Sequence, residues 1–334
     1  MPDIVLLSTG GTIATTSTAS GRAVGVDAET LLRSTEGHWD SGALRVRALD
    51  VKRLVSFAAT TEDVLDLARA VRTASAEADG VVVTHGTDSM EEAAFLVSLT
   101  HTGEVPVVFT GAQRPFDDTA PDGPRNLASA LRWAASPEAK GTGVSVVFDD
   151  KVLPAVGVRK VDTLALSAFA APGRGPIATV DEAGVRLYAR PSIAPALLSP
   201  DVERLPRVDV IGQYLGVDAV ALDAALASGA RGLVVAGFGA GNTAPDVTNA
   251  CLALLDEGFP VAVASRVGSG AVLGLYSGGG ADLLRAGAIP AGDLSPWQMR
   301  LLLAAALTRT VGQGAPDAAQ TCRRWLAEVG AVAR

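Results

Sequence analysis

Short apolar runs recur along the chain, most of them without alternation. They are "IVLL" (4–7), "GVVVTHG" (80–86), "VPVVFTG" (105–111), "GVSVVFDD" (143–150), "RVDVIGQYL" (207–215), "GLVVAGFG" (232–239) and "PVAVASR" (260–266). Continuous Val, Ile and Leu predicts strands covered on both faces, as in parallel sheets. Between them, amphipathic or Ala-rich segments at 61–76, 89–101, 124–136, 217–228, 245–257 and 295–309 predict helices. Two helix starts are marked. "DSMEE" sets Asp88 and Ser89 ahead of Glu91 and Glu92, a capping-box pattern. "LSPWQ" offers Ser295 as N-cap and Pro296 at the first helical position. Alternating strand and helix predicts an α/β, doubly wound architecture.

A chain of 334 residues exceeds what one core usually serves, so two domains are expected. The proline-rich stretch at 186–206 has no clean period and reads as a linker. It separates a larger N-terminal domain (1–185), with a mostly parallel sheet, from a smaller C-terminal α/β domain (207–334). No internal repeat or low-complexity tract interrupts either.

Composition narrows the function. At 48% hydrophobic and 19% charged residues, the chain can build large cores. A net charge of -8 and a pI near 5.0 argue against nucleic acid as a partner, since a phosphate backbone is met by basic stripes. No stretch approaches the ~18–20 apolar residues that span a bilayer, so no membrane partner is expected. The start, "MPDIVLLSTGG", lacks the basic residues and long apolar region of a secretory signal, which points to the cytoplasm. Cys251 and Cys322 stand far apart and read as buried free thiols. Two cysteines and three histidines cannot furnish a Cys/His metal cluster, and no metal or cofactor is expected.

Ligands of open α/β sheets sit outside the carboxyl ends of the strands, so the chemistry is sought there. "STGGT" (8–12), "THGTD" (84–88), "TGAQRP" (110–115) and, on a longer loop, "VRKVDT" (158–163) follow successive strands. Together they supply alcohols, a carboxylate in Asp88 and an amine in Lys160. An alcohol is a poor nucleophile until a base takes its proton. A neutral lysine is such a base, and an aspartate can orient it. Thr87, Lys160 and Asp88 suit that set, with Thr12 a second alcohol across a substrate carbonyl. The glycines let backbone N–H groups reach an oxyanion. The combination is acyl-transfer chemistry without histidine, cysteine or metal. Other motifs fall away. "GFGAGN" (237–242) has the wrong spacing for a dinucleotide loop, and neither Ser269 nor Ser277 lies in G-x-S-x-G. His85 reads as a structural hydrogen-bonder, and His38 and His101 as surface residues. The Leu/Ala stretch 301–307 reads as core.

"TGGTIA" (9–14), "VVVTHGTDSMEE" (81–92), "PVVFTGAQRP" (106–115), "DGPRNL" (122–127) and "VRKVDT" (158–163) resemble the bacterial L-asparaginase (asparaginase/glutaminase) family. "GLVVAGFGAGN" (232–242), "ASRVGSGAV" (264–272) and "AGDLSPWQMRLLLAAAL" (291–307) extend the resemblance over nearly the whole chain. The resemblance implies hydrolysis of the side-chain amide of L-asparagine to aspartate and ammonia through a threonine acyl-enzyme. It implies Thr12 as primary nucleophile, and a second triad of Thr87, Lys160 and Asp88. Asp88 would also bind the substrate α-amino group and Ser56 its α-carboxylate. Gly11, Gly86 and Ala112 would line the pocket through backbone groups. Asn242 would come from the smaller domain of a neighbouring subunit, in a homo-oligomer that is a dimer or a dimer of dimers.

Three departures stand against that pattern. The family carries a tyrosine on the mobile loop after "TGGTIA". Here "TTSTASGRAVGVDAETLL" (15–32) has no tyrosine and offers the hydroxyls of Thr15, Thr16, Ser17, Thr18 and Ser20 instead, and its Gly/Ser/Thr content predicts a mobile lid. Phe57 follows Ser56 where many members have a polar residue, which removes a contact on the α-amino side. "GAVLGLYSGGGADL" (270–283) has nothing acidic before Asp282, a pattern nearer the cytoplasmic-type members. These departures keep two alternatives open: glutamine or a modified asparagine as substrate, and a weakly active amino-acid-binding homologue.

Overall fold

The valine runs form the middle of a large sheet. In the computed structural model, which describes residues 1–331 apart from 20, 39–43, 102–103, 192, 194–195 and 310–317, the chain divides into two units, Met1–Glu203 and Arg204–Arg334. The first holds, among the described residues, an eight-stranded sheet in the spatial order Gly184–Leu187, Ala178–Asp181, Lys151–Pro154, Val144–Phe148, Val107–Thr110, Gly80–Thr84, Asp3–Gly10 and Arg45–Leu54. The five from Val144–Phe148 to Arg45–Leu54 pair in parallel. The other three add on antiparallel. Val81–Val83 and Val107–Phe109 are fully buried, as unalternating runs require. Among the five parallel strands the second in sequence lies outside the first, and the third lies on the other side. The order therefore reverses between Asp3–Gly10 and Gly80–Thr84. A doubly wound sheet opens its ligand crevice at that reversal.

Helices cover the sheet where their apolar faces dictate. Thr61–Ser75 begins at a capping box of Thr60 and Asp63 and buries Val64, Leu65, Leu67, Ala68, Val71 and Ala74. Met90–Thr100 is buried nearly all round. Gly123–Ala135 sets Trp133 into the core, where its Nε1 donates to Ser145 Oγ at 3.2 Å. The second unit has a parallel sheet in the order Val208–Gly212, Gly232–Gly237, Val261–Ser265 and Ile289–Pro290. Its helix Pro296–Thr308 starts on Ser295, whose Oγ accepts from Gln298 N, and Leu301–Leu307 is buried throughout, as expected of core. Both thiols, Cys251 and Cys322, are free and buried. Burial pushes each up to about 12.

Two local expectations fail. The "DSMEE" pattern makes no capping box: Ser89 is the N-cap of Met90–Thr100 but forms no side-chain cap bond. Its hydroxyl donates instead to the Ser56 carbonyl at 2.8 Å, and Glu91 accepts the Lys160 backbone N–H at 2.7 Å. Tertiary partners outbid the local cap. His101 is not a surface residue. It is 8% exposed, with Nε2 2.9 Å from the Val105 carbonyl oxygen, while His38 is exposed. An imidazole at a helix end can turn inward when a backbone carbonyl meets it.

Candidate active site

The first strand ends in two glycines because its turn runs against another backbone. Gly10 has φ +101° and Gly11 φ +80°, both in the region open to glycine. A methyl group on Gly11 would lie 2.8 Å from the His85 carbonyl carbon and closer still to Gly86 N and Cα. A methyl group on Gly86 would meet Ser56 Cβ at 2.6 Å and Gly11 Cα at 3.2 Å. The absence of side chains thus brings three turns together: the one before Thr12, the one before Thr87 and the one bearing Ser56. Thr12 opens a single 3-10 turn, Thr12–Ala14, and is half-buried. Its carbonyl accepts the Thr15 hydroxyl at 2.9 Å, while its own hydroxyl has no hydrogen-bond partner among the described residues.

The second turn carries the acidic half of a charged pair. Lys160 Nζ lies 2.9 Å from Thr87 Oγ1 and 2.9 Å from Asp88 Oδ1. The lysine side chain is 19% exposed and the aspartate 54%, so one face of the pair opens outward. Lys160 sits on the short strand Arg159–Lys160, paired antiparallel with Phe169–Ala170, and its backbone is held by the buried Glu91. Thr87 is buried and donates to Gln113 Oε1 at 3.3 Å. Ser56 is buried, and its Oγ accepts the Asp88 N–H at 3.2 Å. Ala112 is buried on the loop after Val107–Thr110.

His85 supports these turns from beneath. Its Nδ1 is 2.7 Å from Thr9 Oγ1, and its Nε2 is 3.4 Å from Ser89 Oγ. Thr9 gives its hydroxyl proton to the Thr84 carbonyl at 2.8 Å, so the ring donates from Nδ1. Burial lowers its pKa to about 4, which keeps the ring neutral. This is a structural hydrogen-bonder and not a base.

The loop after Thr12 is a hairpin, Thr15–Thr18 against Gly21–Val24. Its hydroxyls face several ways. Thr15 binds the Thr12 carbonyl, Ser17 approaches Asp117 (Oγ to Oδ1 3.5 Å), and Thr18 donates to Gly21 O at 2.6 Å. Ser20 lies outside the described residues. Phe57 is 78% exposed. Asn242 belongs to the second unit, where its backbone pairs with Phe238 and its Oδ1 is buried with no hydrogen-bond partner among the described residues. The sequence read Glu91 only as part of a cap and left Gln113 unassigned. Nothing in the sequence sets Glu91 apart from its neighbour Glu92, and Gln113 carried no signal beyond its motif.

A family profile described as "Asparaginase, N-terminal" matches residues 3–193, and one described as "Glutaminase/Asparaginase C-terminal domain" matches 207–317. The chain belongs to the asparaginase family. Among asparaginases, it is 36% identical over 309 residues to a "Probable L-asparaginase" of Deinococcus radiodurans, covering 91% of this chain and 92% of that protein. It is 32% identical over 318 residues to "L-asparaginase 2" of Escherichia coli K12, covering 93% and 90%. The crystal structure of a "Probable Cytoplasmic L-asparaginase" from Campylobacter jejuni superposes with a TM-score of 0.86 at 32% identity, covering 98% of this chain and 99% of that one. The asparaginase fold accounts for both sheets.

Proposed function

We propose that this protein hydrolyses the side-chain amide of L-asparagine, with Thr12 as nucleophile and Thr87, Lys160 and Asp88 as the proton-moving set. The observation that carries the reading is the equal 2.9 Å reach of Lys160 Nζ to Thr87 and Asp88, on a turn packed backbone-to-backbone against the one that presents Thr12. Thr12 Oγ attacks the amide carbon as its proton passes to the base. Backbone N–H groups of the glycine turns stabilise the oxyanion. The departing nitrogen collects a proton and leaves as ammonia. Water then splits the aspartyl ester and restores the hydroxyl. Asp88 receives the substrate ammonium, Ser56 its carboxylate, and Gly11, Gly86 and Ala112 line the pocket.

The proposal includes a dimer or dimer of dimers, with Asn242 supplied by a neighbouring subunit, and a cytoplasmic location. Tyr214, Leu215, Leu275 and Tyr276 of the second unit are exposed, and a neighbouring subunit would cover them. Likeness to the Campylobacter protein supports the location. Among the described residues no helix is long and apolar enough to cross a membrane.

Ammonia release from asparagine tests the reading. Thr12→Ala abolishes it, and Lys160→Met lowers kcat about 10²- to 10⁴-fold. Lys160→Arg does not restore it, since a guanidinium stays charged. Wild-type turnover in Thr12→Ala contradicts the assignment. Phe57, exposed beside Ser56, favours a second reading: glutamine, or an asparagine with a blocked α-amino group, as substrate. A panel in which asparagine turns over fastest by a wide margin removes it.

A further inference from the structure

Gln113 makes contacts that the proposed steps do not use. Its Oε1 accepts the Thr87 hydroxyl at 3.3 Å. Its Nε2 donates to the Ala165 carbonyl at 3.1 Å and to the Thr163 carbonyl at 3.4 Å. Its backbone N–H is held by the Asp122 carboxylate at 3.0 and 3.2 Å. A carbonyl oxygen only accepts, so the two carbonyls fix which end of the carboxamide faces Thr87. A flipped amide would set Oε1 against both of them. Thr87 has a single hydroxyl proton. Lys160 Nζ already donates to Thr87 Oγ1 at 2.9 Å, so that proton points to Gln113.

The segment that supplies the two carbonyls is held at its base, where the Val161 and Asp162 N–H groups donate to the Ala168 carbonyl at 2.7 and 3.4 Å. Leu164 is 82% exposed and Val161 53%, so neither side chain anchors its tip. Asp162 closes a local turn by accepting Leu164 N–H and Ala165 N–H, each at 2.8 Å. That turn shapes the segment without tying it to the rest of the unit. Among the described residues, the Gln113 carboxamide is the hydrogen-bonded tie between the Thr163 and Ala165 carbonyls and the site.

We infer that Gln113 is a positioning residue: it aims the Thr87 hydroxyl proton away from Lys160 and clamps the 163–165 segment that follows Lys160. This rests on the reading of Thr87 and Lys160 as the proton-moving pair. In the resting site the lysine donates to both Thr87 and Asp88. The Thr87 proton must swing off Gln113 before it can reach a neutral Lys160. Gln113 thereby sets the starting geometry of the transfer without touching the substrate.

Two variants test it, read by kinetics and by amide hydrogen exchange. Gln113→Met keeps the length and loses every side-chain hydrogen bond. Its kcat falls about 10- to 100-fold, while KM stays within about threefold. Exchange of the amides at 163–166 speeds up about 10-fold. Gln113→Glu keeps an acceptor toward Thr87 but has no N–H for the Thr163 and Ala165 carbonyls. Exchange at 163–166 therefore speeds up as in Gln113→Met, while kcat falls less than in Gln113→Met. Wild-type kcat and exchange in Gln113→Met overturn the inference. Equal kcat losses in both variants also overturn it, because they show that the acceptor toward Thr87 does not matter. A wild-type protein that releases no ammonia from any amide refutes the reading of the site, while exchange at 163–166 still decides whether Gln113 is the clamp.

Discussion

Replacing Gly11 by alanine puts a methyl group where two backbones already touch. Gly11 has φ +80° and ψ 179°, a region essentially reserved for glycine, and an L-residue there costs about 1–3 kcal/mol. The methyl carbon would lie 2.8 Å from the His85 carbonyl carbon and nearer still to Gly86 N and Cα. All are backbone atoms of a turn that the sheet fixes, so no side-chain rotation relieves the clash. Overpacking of this kind costs about 1–3 kcal/mol more. The sum, about 2–6 kcal/mol, is a large share of the ~5–15 kcal/mol that stabilises a domain. Gly141→Ala is the control. It has φ +71°, but a methyl group there meets nothing within 4 Å, which leaves about 1–2 kcal/mol of backbone strain alone. Urea unfolding followed by circular dichroism compares the two. Gly11→Ala unfolds at clearly lower urea and loses ammonia release with it. Equal midpoints would refute the reasoning that the Thr12 and Thr87 turns are joined by direct backbone packing.

His85 gives stability a pH dependence. Burial lowers its pKa from 6.5 to about 4, so the unfolded chain takes up a proton that the folded ring refuses. The contribution is whole above the unfolded pKa and is lost as pH falls from about 6.5 to about 4, by about 3 kcal/mol in total. His85→Gln flattens the stability slope across that window, and a slope equal to the wild type contradicts the assignment. Asp117 latches the hairpin that follows Thr12, accepting Ser17 N–H at 2.8 Å while Arg22, opposite Ser17, adds charge attraction. Asp117→Ala therefore speeds amide exchange at Thr15–Thr18 and leaves Asp3–Gly10 protected; unchanged exchange in the hairpin counts against the latch.

The parallel strands were legible because burial on both faces writes itself as unbroken valine, as at 80–84, 107–110 and 261–265. Edge strands were not. Arg45–Leu54 pairs on one side only and carries charges on its open face, and it reads as no element at all. Lys151–Pro154 and the hairpin Ala178–Leu187 are too short and mixed to show a period. Within the candidate site, Thr87 and Asp88 were legible because they follow the strand Gly80–Thr84 at the sheet's carboxyl edge, whereas Lys160, read on a loop, stands on a short strand of a separate pair and was legible from its motif alone. Gln113 was not, because its partners are two carbonyls some 50 residues away along the chain. The misread cap at Asp88–Glu92 has the same cause. Ser89 and Glu91 suit a local box, and only the folded neighbours Ser56 and Lys160 decide otherwise.

The most direct test of the account asks which threonine carries the acyl group. Protein mixed with asparagine, quenched in acid within a turnover and mapped by peptide mass spectrometry should hold an aspartyl ester on the peptide containing Thr12, and none in Thr12→Ala. An ester on Thr87, or an adduct that persists in Thr12→Ala, would contradict it.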